Sequence, residues 1–94
     1  MRQTKYTVKV TTQFKKDYKL AIKRGLKIAL LEDIVAVLAA GGTLPEKNKD
    51  HSLSGNFEGC RECHVTPDWL LIYKISQNSI YLYLTRTGTH SDLF

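Results

Sequence analysis

The sequence predicts an α+β fold, and three features of its pattern support that prediction. One segment of alternating apolar and polar residues opens the chain, two segments with helical spacing follow, and three more alternating segments lie near the end. Because only a few residues join those last three, they should pair as antiparallel neighbours. We therefore expect a strand, a helix hairpin and a three-strand meander. Together the strands would form a four-stranded sheet with the helices packed on one face.

The first half of the chain should form one strand and both helices. Residues 6–11 alternate as in a half-buried strand, and helical spacing begins at Gln13, with Thr12 as the candidate N-cap and Gly25 as the stop. The apolar face of this helix comprises Phe14, Tyr18, Ala21 and Ile22. A second helix should cover residues 27–40, closed by Gly41 and Gly42. Its buried stripe comprises Ile28, Leu31, Ile34, Val35 and Leu38.

The second half should begin with a loop and end in the meander. Residues 43–58 predict a loop, because Pro45, Gly55 and several polar residues interrupt every periodic pattern that starts there. His51 lies inside this predicted loop. The three strands of the meander should then cover residues 59–65, 69–75 and 80–87.

Length and composition are typical of one folded domain. With 94 residues, of which 43% are hydrophobic, the chain can build one core over residues 1–94 but not two. No apolar run approaches the roughly 18 residues of a membrane span, and the N-terminus lacks the apolar stretch of a secretion signal. We therefore expect a cytoplasmic protein with no membrane contact.

Positive charge is concentrated in the N-terminal segment. The formal net charge is +5, and up to Lys27 the only acidic residue is Asp17. The basic residues of this segment are Arg2, Lys5, Lys9, Lys15, Lys16, Lys19, Lys23, Arg24 and Lys27. Such a surface attracts phosphate backbones, although a solvated helix face has a similar lysine content. Charge alone leaves both interpretations open.

Residues 60–64 have the spacing Cys-x-x-Cys-His, which occurs in haem-attachment, zinc and redox sites. Haem attachment would need export and usually a second axial ligand, and the only methionine is Met1. A zinc site would lack a second cysteine pair, and a redox pair belongs at a strand-to-helix junction rather than inside a strand. We interpret Cys60 and Cys63 as small apolar strand residues on opposite faces, and we expect no metal and no cofactor.

All three histidines lie in the second half, together with an acid and an arginine. The set comprises His51, His64, Asp68, Arg86 and His90. Imidazoles, a carboxylate and a guanidinium can supply a general base, a general acid and an anion clamp without a metal. This combination suits the cleavage of a phosphodiester and points to RNA chemistry.

Four ordered motifs carry a resemblance to a known family. They are DHSLSG (50–55), FEGCRECH (57–64), PDWLLIYK (67–74) and RTGTH (86–90), followed by Leu93 and Phe94. In the order and spacing of these motifs, residues 50–94 strongly resemble the YafQ branch of the RelE/ParE toxin superfamily. The N-terminal half is similar only in its strand-helix-helix order and in FKKD (14–17). The departures are Phe57 where the family often has Trp, Glu62 where Asp is common, and Cys63 at a variable place.

The resemblance implies a RelE-like fold, with a short C-terminal helical turn, and a bacterial type II toxin. Such a toxin enters the ribosomal A site, cuts mRNA and is held inactive by a cognate antitoxin, and only the toxin–antitoxin complex would bind operator DNA. The implied active-site positions each hold the matching residue type here: His51, His64, Asp68, Trp69, Arg86, His90 and Phe94.

Each candidate acid or base also has a structural interpretation. We expect His90 to be the general acid, with an exposed terminal histidine as the alternative. Asp68 is either the base itself or the group that orients His64 as the base, unless it only caps a turn. His64 shares its strand face with Cys60 and Glu62, so it is alternatively a structural histidine satisfied by a carboxylate. His51 either positions the phosphate or is a plain loop residue.

The remaining candidates would bind RNA. Arg86 continues the alternation of Ile80, Leu82 and Leu84, so it should emerge on their face and, as the resemblance implies, clamp a phosphate rather than only edge the core. Trp69 and Phe94 should stack on bases, although a strand tryptophan is often a core residue. Arg61 should lie on the sheet or at the RNA-facing rim. The lysines expected to contact ribosomal RNA are Lys15, Lys19 and Lys23.

Two other functions compete with RNA cleavage. ParE-like toxins of the same fold class inhibit DNA gyrase and cut no RNA, so they need no such set of histidines, acid and arginine. A basic RNA- or DNA-binding module would carry its histidines incidentally. We favour an endoribonuclease that inhibits translation, because the set is present in full.

Overall fold

The computed structural model describes residues 4–94, so Arg2 of the basic segment lies outside the described residues. The elements are β1 (Thr7–Val10), α1 (Thr12–Lys23), α2 (Ile28–Ala39), β2 (His51–Ser52), β3 (Arg61–Thr66), β4 (Trp69–Ile75), β5 (Tyr81–Gly88) and α3 (His90–Leu93). Two short 3₁₀ turns, Glu46–Asn48 and Gly55–Phe57, flank β2. The α+β class, the helix hairpin and the C-terminal turn are confirmed. Within residues 4–94, no helix is long and apolar enough to cross a membrane.

Over residues 4–94 the sheet has five strands in the order β1-β5-β4-β3-β2, one more than the sequence predicted. The additional strand is β2, which lies in the segment predicted as a loop: His51 and Ser52 pair antiparallel with Glu62 and Arg61. Two residues are too few to produce a periodic pattern, so the sequence carries no signal for this strand. The meander of β3, β4 and β5 is antiparallel as predicted, and β1 pairs in parallel with β5.

Three details of the first half differ from expectation. The N-cap of α1 is Thr11 rather than Thr12, since its backbone is extended and its hydroxyl accepts a hydrogen bond from the Phe14 N–H at 3.0 Å. Ile22, predicted to be buried, is 54% exposed, whereas Asp17 is buried on this helix. Strand β1 is exposed rather than half-buried, because it lies at the edge of the sheet.

The sheet has a helix face and an open face. On the helix face, α1 and α2 pack over the main core, whose side chains include Phe14, Leu31, Leu38, Leu71, Tyr73, Leu82 and Leu84. The open face is the opposite one, and it carries a smaller apolar cluster of Leu70, Ile72 and Leu93, with Leu53, Phe57 and Cys60 packed against it. Strand β4 is therefore buried on both faces.

A bulge at Thr85 decides which residues of β5 reach each face. Tyr73 pairs with Leu84 and Ile72 pairs with Arg86, so Thr85 has no partner of its own on β4. Because directly paired residues share a face, Arg86 lies on the open face with Ile72. The prediction that Arg86 shares a face with Leu84 is therefore wrong, since the alternation on which it depended stops at the bulge.

Candidate active site

The open face brings together residues of four strands in one row. His51 pairs with Glu62, Glu62 with Ile72, and Ile72 with Arg86, on β2, β3, β4 and β5 in turn. His64 lies in the next row, two residues further along β3. Neighbouring strands lie about 4.8 Å apart, so the row spans about 14 Å from end to end. Three of the site residues proposed from the sequence thus share the open face of the sheet: His51, His64 and Arg86.

A buried carboxylate lies between two of the histidines. Glu62 is only 6% exposed, and its Oε1 lies 3.5 Å from His51 Nε2 and 4.0 Å from His64 Nε2. Its Oε2 is buried and has no hydrogen-bond partner within residues 4–94. A carboxylate placed in this way can stabilise the positive charge that an imidazole acquires when it takes up a proton. The sequence placed Glu62 on the face of His64 and offered a carboxylate partner as the structural alternative, but it did not assign Glu62 to the site or predict its contact with His51.

One hydrogen bond holds the ring of His51, and another holds the backbone at His64. His51 Nδ1 lies 2.7 Å from the Lys49 carbonyl oxygen. Because a carbonyl oxygen only accepts, Nδ1 is the donor, which leaves Nε2 of the neutral ring with a free lone pair. The Asn48 amide donates to the His64 carbonyl oxygen at 2.6 Å. The segment before β2 is therefore tied to β3, and His51 is held at a defined place.

Arg86 is held by Asp17 of α1. Its Nε donates to Asp17 Oδ2 at 2.8 Å and its Nη2 donates to Oδ1 at 3.2 Å, while the Thr87 N–H donates to Oδ2 at 3.1 Å. Asp17 is 8% exposed, and its hydrogen bond raises the pKa of Arg86.

This ion pair restricts how Arg86 could bind an anion. The carboxylate of Asp17 occupies the edge of the guanidinium formed by Nε and Nη2. Nη1 makes no hydrogen bond within the described residues, so Nη1 and the second N–H of Nη2 form an edge that Asp17 does not occupy, and the side chain is 25% exposed. A planar guanidinium can bind one carboxylate and one phosphate on different edges at once. Sequence reasoning did not find Asp17, which lies 69 positions away from its partner.

The C-terminal turn α3 presents His90 and Phe94 at the surface. Thr89 and Asp92 form a capping box, in which the Thr89 N–H donates to Asp92 at 2.9 Å and the Asp92 N–H donates to the Thr89 hydroxyl at 3.2 Å. Arg24, at the end of α1, donates to Asp92 at 2.6 Å and holds the pKa of that carboxyl well below its usual range. The His90 and Phe94 ring centroids lie 5.0 Å apart, and Phe94 is 56% exposed.

Two predicted RNA-binding residues occupy other places. Trp69 is 2% exposed and its indole N–H donates to the Thr87 hydroxyl at 2.9 Å, so the prediction that it stacks on a base is wrong. Its ring belongs to the core on the helix face and has no free surface. Arg61 pairs with Tyr73 and so lies on the helix face, where its Nε donates to Asp50 at 3.1 Å. The structure does not bring Arg61 to the histidines.

Asp68 and the lysines of α1 form no ion pair or side-chain hydrogen bond with the histidines in the described part of the chain. Asp68 is exposed in the turn between β3 and β4, and it forms no ion pair or side-chain hydrogen bond in the described part of the chain. The carboxylate near His64 is that of Glu62, so the predicted orienting contact from Asp68 is not formed. The lysines are exposed along α1, and their contact with RNA stays a prediction: Lys15, Lys19 and Lys23.

The two cysteines lie on opposite sides of the sheet, as predicted. Cys63 is part of the core on the helix face, where burial raises its pKa to about 12, and Cys60 packs in the cluster of the open face. A thiol with such a pKa is unreactive at neutral pH. Among residues 4–94, no three His, Cys, Asp or Glu side chains are grouped so as to hold a metal ion.

Similarity to known proteins extends over nearly the whole chain. A family model described as "Bacterial toxin of type II toxin-antitoxin system, YafQ" matches residues 6–94. The mRNA interferase toxin YafQ of Escherichia coli is 41% identical over 88 residues, which cover 93% of this chain and 94% of that protein.

Solved structures agree with this family match. A crystal structure of the E. coli DinJ–YafQ toxin–antitoxin complex contains a chain with 40% identity and a TM-score of 0.86, covering 96% of this chain and 98% of that one. A metal-bound toxin from Helicobacter pylori is 42% identical with a TM-score of 0.88, covering 95% of this chain and 99% of that one. This chain therefore belongs to the YafQ family of bacterial type II toxin–antitoxin toxins.

Proposed function

We propose that this protein is the toxin of a type II toxin–antitoxin system and cuts mRNA on the ribosome as an endoribonuclease. The observation that carries the proposal is the group of His51, Glu62 and His64, in which one buried carboxylate oxygen lies within 4.0 Å of two imidazole nitrogens. The name of the E. coli relative, mRNA interferase toxin, supports the same class of reaction. The proposed functional unit is one domain over residues 1–94 that acts in the cytoplasm.

The proposed reaction uses the nucleophile of the substrate itself. The 2′-hydroxyl attacks the adjacent phosphorus, and the bond from phosphorus to the 5′-oxygen breaks. The products carry a 2′,3′-cyclic phosphate and a 5′-hydroxyl. The protein must accept a proton from the 2′-hydroxyl and deliver one to the departing oxygen, and each transfer contributes roughly 10²- to 10⁴-fold to the rate. Neither transfer requires a metal ion.

His64 is the proposed base and His90 the proposed acid. Glu62 lies beside His64 and can stabilise the imidazolium that forms when the base takes up its proton. His90 is exposed on α3, next to the ring of Phe94, which can stack on a base near the scissile phosphate. Asp68 stays the alternative base, since its carboxylate is exposed and has no described partner.

Arg86 and His51 are the proposed phosphate ligands. The free edge of the Arg86 guanidinium can stabilise the negative charge that accumulates on the phosphorane. Because Nδ1 of His51 already donates to a backbone carbonyl, the ring must carry a second proton on Nε2 to donate to a phosphate oxygen, and the Glu62 carboxylate 3.5 Å from Nε2 can balance that charge.

The proposed partners are the ribosomal A site, mRNA and a cognate antitoxin. The E. coli relative crystallised in a toxin–antitoxin complex with DinJ. The net charge of +5 favours acidic partners, both an acidic antitoxin and the phosphates of ribosomal RNA. Operator DNA would be bound only by the toxin–antitoxin complex.

The test mixes the purified protein with translating ribosomes and a defined mRNA. Primer extension maps the new 5′ ends, and the upstream fragments are tested for 2′,3′-cyclic phosphate. We expect cuts within A-site codons, with a rate that falls by about 100-fold or more in His90→Ala. The matched control is Ser91→Ala, an exposed neighbour on the same turn, which should cut as the wild type does.

Other outcomes would redirect the assignment. Full activity of His90→Ala would remove His90 from the acid role. An absence of cuts together with inhibition of gyrase supercoiling would identify a ParE-like toxin. RNA binding without cyclic phosphate ends would leave a basic binding module whose histidines are structural.

A further inference from the structure

The open face continues beyond the histidine row into a group of aromatic and basic side chains. Lys9 pairs with Tyr83, and Tyr83 pairs with Lys74, on β1, β5 and β4. Tyr81 lies two residues along β5 from Tyr83 and so shares its face. We call Lys9, Lys74, Tyr81 and Tyr83 the tyrosine platform. None of these residues takes part in the proposed proton transfers.

The two aromatic rings of the platform are half-buried and line a cleft. The ring centroids of Tyr81 and Tyr83 lie 5.9 Å apart with planes tilted by 47°. Lys9 Nζ lies 5.2 Å from the centroid of the Tyr81 ring. A cleft of about 570 Å³ opens beside both rings, and its other lining residues are Lys74, Ser76, Gln77 and Asn78. Neither tyrosine hydroxyl forms a hydrogen bond within residues 4–94.

These are the components of a site for single-stranded RNA. Unpaired bases stack on aromatic rings, lysines neutralise the phosphates, and exposed amides can read the edges of a base. None of the residues that line the cleft is acidic. The two tyrosines are only half-buried, and their hydroxyls make no hydrogen bond within residues 4–94. Packing in the fold therefore does not by itself account for aromatic residues at these two positions.

The platform is also continuous with the proposed active site. Lys74 lies two residues along β4 from Ile72, which pairs with Arg86, so the two rows are separated by about 6.8 Å. An RNA strand with its scissile phosphate at Arg86 would reach Tyr83 next and Tyr81 after it. This placement rests on the proposed function, whereas the binding chemistry of the platform does not.

We propose that the tyrosine platform is a subsite for single-stranded RNA that holds the one or two nucleotides beside the scissile phosphate. Tyr81 and Tyr83 stack on the bases, and Lys9 and Lys74 bind the flanking phosphates. The platform contributes affinity and sets the path of the strand.

The test is direct binding of the full-length protein to a fluorescein-labelled 2′-O-methyl hexauridylate, measured by anisotropy. This oligonucleotide has no free 2′-hydroxyl and cannot be cut. The double variant Tyr81→Leu, Tyr83→Leu removes the rings but keeps apolar side chains, and Tyr81→Phe, Tyr83→Phe is the matched control that keeps the rings. We expect the Leu variant to bind about 5- to 100-fold more weakly and the Phe variant to bind within about twofold of the wild type.

A second measurement tests the lysines. Replacing Lys9 and Lys74 with Gln should reduce the slope of log affinity against log salt concentration by about 0.7 for each lost phosphate contact. Both lysines are exposed, so this variant keeps the inference testable if the Leu variant fails to fold. An unchanged slope would overturn the inference, as would wild-type affinity in a folded Leu variant or an absence of binding by the wild-type protein.

The outcome is separable from that of the proposed function. Ser91→Ala should bind the oligonucleotide as the wild type does, because Ser91 is exposed and lies outside both the platform and the proposed catalytic residues. Binding that depends on the tyrosines, in a protein that cuts no mRNA on ribosomes, would support the platform and refute the nuclease. Cleavage that depends on His90, without binding that depends on the tyrosines, would do the reverse.

Discussion

The two faces of the sheet are covered in different ways. On the helix face, α1 and α2 enclose side chains such as Leu71 and Tyr73, and the polar groups there are few and paired. On the open face a small apolar cluster shares the surface with His51, His64 and Glu62. A buried polar atom without a hydrogen bond costs roughly 1–3 kcal/mol, and Glu62 Oε2 is such an atom. The helix face therefore supplies the stability that lets the open face keep an unfavourable but chemically useful group.

The largest effect on stability should come from opening a cavity on the helix face. Leu71 is fully buried in the central strand, so Leu71→Ala should lower the free energy of unfolding by about 2–5 kcal/mol in urea denaturation. The control Leu20→Ala, on an exposed part of α1, should change it by less than about 0.5 kcal/mol. Equal effects of the two substitutions would mean that the helix face is not the source of stability.

Asp17 joins the two faces, and its removal should have an intermediate effect. Asp17→Asn takes the charge from a buried acceptor of Arg86 and Thr87, and Arg86 is partly exposed, so we expect a loss of about 1–3 kcal/mol in stability. Cleavage should fall as well, because the guanidinium is no longer held in place. The control Asp33→Asn makes the same chemical change at an exposed position of α2.

A double-mutant cycle separates positioning from general stability. If Asp17 acts on cleavage through Arg86, then Asp17→Asn should have little further effect on the cleavage rate in an Arg86→Ala background. Full additivity of the two rate effects would show that Asp17 does not act through the arginine. The measurement is the single-turnover cleavage rate on saturating ribosomes, with folding of each variant checked by circular dichroism.

The sequence could predict the elements that repeat a pattern, and it could not predict short or long-range features. Helices and meander strands repeat a pattern over many residues, so their order and approximate bounds were predictable. Strand β2 has two residues and the bulge at Thr85 has one, and neither length can produce a period. The link from Asp17 to Arg86 depends on how β5 and α1 meet across 69 positions.

The site residues were predictable to different degrees for a physical reason. His51, His64 and Arg86 were found by residue type and by resemblance, and the structure places them on one face. Trp69 was misassigned because residue type does not show whether an aromatic ring faces a core or a ligand. Glu62 was placed on the face of His64, since residues two apart in a strand share a face, but its contact with His51 depends on strand β2, which was not predictable.

The smallest effect on stability, and the sharpest test of the open face, should come from Glu62→Gln. The substitution keeps the shape of the side chain and removes a buried charge that lies near two histidines and has one unpartnered oxygen. Stability in urea should therefore stay within about 1 kcal/mol of the wild type or rise, because the desolvation cost of the carboxylate disappears. Cleavage should fall by about tenfold or more, since the imidazolium formed at His64 loses its counter-charge.

The control is Glu58→Gln, an exposed acid in the same segment, which should change neither stability nor cleavage. A large loss of stability with unchanged cleavage would mean that the open face is held together by Glu62, and the division between a stabilising face and a chemical face would fail.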